Sequence, residues 1–134
     1  MTIGYDMRVF LAAEGFTDIS VNNVDDTRAN TISIMETGGL PSTRAHKAGK
    51  APAEIIRPSF QIVLRRTSKE TAAADIENIR ELLDGIILKT INGTKYITVQ
   101  QVGQAVYLGK FRTDAGDTNE YSLNFETQVQ TETT

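Results

Sequence analysis

The residues able to do chemistry in this chain are few and scattered. There is one histidine, His46, and no cysteine. His46 has no Cys, Asp or second His at ligand spacing, so it does not read as a metal ligand. It sits in a stretch without periodicity, so no element would fix it for Ser–His–Asp chemistry. Asp114 and Asp117 are turn residues. A divalent-cation loop would need more carboxylates at closer spacing and a distal Glu. There is no Gly-rich phosphate loop followed by Lys-Ser/Thr and no dinucleotide fingerprint. The expectation is a protein without a catalytic, cofactor or metal site, and not an enzyme.

Charge patterning is more informative than catalysis. Residues 37–57, TGGLPSTRAHKAGKAPAEIIR, hold Arg44, Lys47, Lys50 and Arg57 against the single acid Glu54. Acidic turns lie on either side in sequence, at Asp25-Asp26 and over Asp114, Asp117 and Glu120. These nine residues (four basic, five acidic) are the candidates for partner contacts. The net charge of -3 is mild and makes no case for the whole surface meeting nucleic acid or an anionic membrane. No apolar run approaches the roughly 18 residues of a membrane-spanning helix. Asp6 and Arg8 interrupt the first apolar segment, unlike a signal peptide.

The elements that must position these charges follow from periodicity. Val9, Phe10 and Ala13 can share one stripe of a short N-terminal helix, with Asp6, Arg8 and Glu14 outside it and Gly15 as its stop. Ile19 and Val21 alternate with polar neighbours as a short strand, and Asn22–Asp26 is turn chemistry. Thr31–Glu36 alternates again, with Ile32 and Ile34 facing a core. Residues 37–57 read as a long loop or arm. Phe60, Ile62 and Leu64 define the next strand. Thr67 with Glu70 three residues on matches a capping box. Ala72, Ala73, Ile76, Ile79, Leu82, Leu83 and Ile86 then recur at helical steps, with Gly85 near the end.

Asn92-Gly93 is a hairpin turn dipeptide, and a strand follows over Tyr96–Gln100. Residues 108–117 read as a turn-rich loop. From Glu120 the period is two. Tyr121, Leu123, Phe125 and Val129 fall on one face; Glu120, Ser122, Asn124, Glu126 and Gln128 fall on a wet one. Thr131–Thr134 reads as a frayed tail. A chain of 134 residues with 40% hydrophobic and 23% charged residues is one domain by ordinary size. The fold expected is α+β. It is a mostly antiparallel sheet of about four to five strands, packed on one long helix (about 68–85) and a short N-terminal helix.

Two blocks carry a family resemblance. One is Pro58-Ser59-Phe60-Gln61-Ile62-Val63-Leu64-Arg65 with the helix Glu70–Gly85. The other is Leu108-Gly109-Lys110-Phe111 with Asp114 and Gly116, closing on Glu120-Tyr121-Ser122-Leu123-Asn124-Phe125. Together they resemble the tail-terminator proteins of long-tailed bacteriophages, a group overlapping the minor capsid and tail-completion families. The resemblance covers about the last 75 residues well, and the first 57 by length and element order. The late loop has no proline and the 37–57 arm is long, which keeps a neighbouring head–tail connector protein open. The resemblance implies a structural virion protein in the tail–neck region, assembled in the host cytoplasm. It implies a homo-oligomeric, hexameric ring on the head-proximal end of the tail tube that ends tube polymerisation. Its partners would be the major tail tube protein and the head connector or stopper, with non-specific contact to DNA in the channel and none to membrane. No cofactor is implied. A non-viral α+β binding module is the alternative from another class.

Overall fold

The computed structural model describes residues 2–45 and 53–132, with residues 40–45, 53–54 and 131–132 described by backbone alone. The elements are α1 (Ile3–Ala13), β1 (Ile19–Val21), β2 (Thr31–Glu36), β3 (Leu40–Ala45), β4 (Ala53–Arg57) and β5 (Ser59–Arg66). There follow α2 (Lys69–Leu83), β6 (Ile86–Ile91), β7 (Thr94–Thr113) and β8 (Gly116–Glu132).

The eight strands form one hydrogen-bonded sheet. The long strand β8 is its axis. On one side it pairs antiparallel with β5 through residues 119–126 and with β4 through 129–132. On the other side it pairs with β7. Beyond β5 lie β2 and then β1, the one parallel pair among the described residues; beyond β4 lies β3; beyond the first part of β7 lies β6. The mixed sheet curls into a half-barrel.

This corrects the expected fold. The protein is mainly β: among the described residues there are eight strands rather than four to five, and two short helices of 11 and 15 residues. Three segments account for the difference. The described parts of the 37–57 arm include β3 and β4, which pair with each other. The loop expected over 108–117 is the end of β7, a tight turn and the start of β8. The tail from Thr131 continues β8 to Glu132, opposite Ala53 of β4.

The core lies between the helices and one face of the sheet. Ile32 and Ile34 of β2, Phe60, Ile62 and Leu64 of β5, and Leu123, Phe125 and Val129 of β8 are all buried there. Phe60 and Phe125 are cross-strand partners and their rings stack at 5.1 Å, a pairing that adds to their area burial. From α2, Ala72, Ile76, Ile79 and Leu83 pack on this layer. Ala73 is exposed, and Ile86 opens β6 instead of ending the helix. The N-cap is Ser68, one residue later than expected, and its hydroxyl accepts from the Thr71 amide. Thr67 instead donates its amide to the Asn30 side chain, 3.1 Å away, so the Thr67–Glu70 capping box does not form.

The stripe of α1 is also rotated from expectation. Ile3, Met7 and Leu11 face the core, whereas Val9 and Ala13 are exposed. Asp6 is buried on the same face because distant partners satisfy it: Tyr96 Oη donates at 2.6 Å and Asn92 Nδ2 at 3.1 Å. A polar group can be buried when its hydrogen bonds are replaced in this way. Gly15 ends the helix in the left-handed region, with the Phe16 amide bonded back to Leu11 O and the Gly15 amide to Ala12 O.

Candidate functional site

The charged residues singled out above fall into three groups. Asp26 and Glu120 converge on Arg65. Register makes Arg65 of β5 and Glu120 of β8 direct cross-strand partners on the sheet face away from the core. The Arg65 Nε lies 3.7 Å from Glu120 Oε1, and both side chains are only 9% exposed. Arg65 Nη1 also donates to Asp26 Oδ1 at 2.6 Å. The segment 25–29 folds over this end of the sheet. The Asp114 amide donates to Asp26 O at 2.9 Å, and Thr118 Oγ1 donates to Ala29 O at 2.6 Å. Glu120 is therefore on the face that the period-two pattern assigned, but that face is covered here.

Asp25 turns on itself, accepting from both the amide and hydroxyl of Thr27, and these bonds hold its carboxyl below the usual carboxylate range. Asp18 pairs with Arg28, and this pair, Asp25 and Arg8 border a polar cavity of about 370 Å³. Asp114 occupies the exposed β7–β8 turn. Asp117, at the start of β8, faces Arg112 at 3.7 Å with both side chains well exposed.

The basic candidates do not gather with these. Arg57 ends β4 and borders a small cleft with Gln100, Glu126 and Gln128. Arg44 lies in β3, at the edge of the sheet, and its backbone alone is described. Lys47, Lys50 and His46 lie outside the described residues. No group of three or more His, Cys, Asp or Glu side chains is arranged for a metal among the described residues.

A surface that charge patterning missed is the outer half of β7. β6 covers that strand only from Thr94 to Val99. The Gln101 amide is capped by Asp84 Oδ1 at 2.8 Å. Beyond it the outer edge has no strand against it among the described residues. Val102, Val106, Tyr107, Leu108 and Phe111 are exposed along this length. Tyr107 is held from the inside, its ring 5.1 Å from that of Tyr121, its hydroxyl bonded to Asn119 and Lys69 over its face. Phe111 lies beside the Arg65 guanidinium. An open edge carrying apolar side chains is a surface that soluble chains ordinarily blunt or cover.

Comparison with known families decides what kind of protein carries this surface. Residues 10–131 match the family described as bacteriophage tail terminator protein. The chain belongs to that family. No curated protein matches it. Among solved structures, this tail-terminator chain is similar to a chain from the virion of a native gene transfer agent particle. The two are 15% identical, the match covers 95% of this chain and 90% of that one, and the TM-score is 0.52. At that identity the likeness is one of fold. It extends over the first 57 residues as well, where the sequence resemblance rested on length and element order. In this tail terminator the exposed β7 segment was hidden from pattern reading by Gly103 and Gly109. Both have positive φ and sit where the β7–β8 register shifts, which breaks the alternation.

Proposed function

We propose that this chain is a structural virion protein that forms a ring on the head-proximal end of a phage tail tube. The ring ends tube polymerisation and joins the tail to the head connector or stopper. Membership of the tail terminator family over residues 10–131 carries this reading. The particle neighbour supports it as a virion component. The surface is compatible: a cyclic ring needs two different faces on each subunit, and the open edge of β7 supplies one apolar face. No step of this role needs a catalytic group. Assembly in the host cytoplasm and a place at the tail neck follow from the same reading.

The test is tail assembly in a particle lacking this protein. Supplying the chain restores tails of uniform length joined to heads; without it, tubes overrun and stay headless. Normal tails in its absence would refute the reading. The basic segment 44–57 is proposed to face either a neighbouring subunit or DNA in the channel. Reversing Arg44, Lys47 and Lys50 tests this. Loss of assembly assigns the segment to the joint, and loss of salt-sensitive DNA binding alone assigns it to the channel.

A further inference from the structure

Two surfaces are left open by the described residues, and they are complementary. The first is the outer half of β7. Five of the nine exposed large apolar side chains among the described residues lie within its positions 102–111. Val102, Val106 and Leu108 have none of the ring contacts that hold Tyr107 and Phe111. Two cations follow them. Lys110 has no salt bridge among the described residues, and Arg112 meets only the exposed Asp117 at 3.7 Å.

The second surface is an open groove of about 320 Å³ between the end of α1 and the outer side of α2. It is lined by Glu14, Phe16, Asn78, Glu81 and Leu82. Phe16 and Leu82 are half-buried, while Glu14 and Glu81 are exposed. Neither carboxylate has a salt bridge among the described residues, because the nearby Arg80 is taken by Glu77 and Asp84. The strand edge is thus apolar with a basic end, where the register shift at Gly109 turns Lys110 and Arg112 to the other sheet face from Val106, and the groove is apolar with acidic flanks.

We propose that the outer half of β7 on one copy seats in the α1–α2 groove of the next copy. Val106 and Leu108 lie over Phe16 and Leu82, and Lys110 and Arg112 meet Glu14 and Glu81. This rests on the ring reading given above and names its joint. The occupant is a second copy because one chain carries both halves, so the contact is head-to-tail and propagates in one sense until it closes. An apolar centre inside a charged rim is the usual anatomy of a specific interface. The rim charges set register and association rate more than affinity.

Charge exchange tests it by sedimentation. All four residues are exposed, so K110E/R112E and E14K/E81K keep the fold, as circular dichroism would verify. The unaltered chain sediments as a multi-subunit species, and each variant alone falls to the single-chain mass of 14.7 kDa. Combining the four changes in one chain, or mixing the two variants equally, restores assembly. If the unaltered chain and both variants all assemble, or if the variants dissociate and neither combination restores them, this joint is wrong while the ring reading stands. If the unaltered chain stays single at every concentration, the ring reading fails and takes the inference with it.

Discussion

Replacing Arg65 with Met should be among the most damaging single polar changes in this protein. Its side chain and that of Glu120 are each 9% exposed, so removing the cation leaves a carboxylate enclosed without its partner. Breaking a buried pair from one side costs about 3–5 kcal/mol. The 3.7 Å separation is longer than a hydrogen bond, which argues for the lower end, about 3 kcal/mol. Asp26 adds little to this, because it is 74% exposed and solvent screens it. In urea, with a slope of about 2 kcal/mol/M for a domain of this size, the midpoint falls by about 1.5 M. The double variant R65M/E120M removes both charges and should recover most of the loss, since an apolar pair of similar volume is often neutral. Denaturation of the two single variants and the double by one method completes the cycle. Equal destabilisation of R65M and R65M/E120M would refute the reasoning, because it would mean that Arg65 acts through packing and not through Glu120.

Other outcomes follow from the same contacts. Ser68→Ala should cost about 1 kcal/mol and Thr67→Ala markedly less, measured by thermal unfolding, because Ser68 caps α2. Ile79→Ala, at a fully buried position of α2, should cost about 2–5 kcal/mol in the same assay. Tyr96→Phe should lose about 1–3 kcal/mol with its bond to Asp6. Burial, and then the Asp6 hydrogen bond, push the Tyr96 phenol upward. A raised folded pKa gives stability that is intact below the unfolded value near 10 and lost above it. The unaltered protein should therefore lose about 1.4 kcal/mol per pH unit above about pH 10 from this group, and Tyr96→Phe should lack that slope.

What the sequence disclosed was local, and what it concealed was set at a distance. Thr31–Glu36 and the Asn92-Gly93 turn could be read because alternation and turn chemistry act within a few residues. In the turn, Asn92 and Gly93 both have positive φ, and Ile91 pairs with Thr94. β3 and β4 were opaque because LPSTRA and AEIIR have little alternation; their partners are each other and the end of β8. Asp6 looked like a solvated helix residue because its partners lie 86 and 90 positions away. Glu120 looked wet because nothing near it in sequence announces that residues 25–29 cover it. For the candidate site, Asp26 and Glu120 were expected separately, as acidic residues of two turns offered to partners, and not as neighbours. Arg65, the residue that joins them, was not singled out, since an arginine at the end of a strand carries no signal of what lies across it.

The proposed ring is tested most directly by electron microscopy of the purified protein. Closed rings with a central lumen and subunits related by rotation are the expected result. A field of single chains or open filaments, with mass to match in solution, would contradict it.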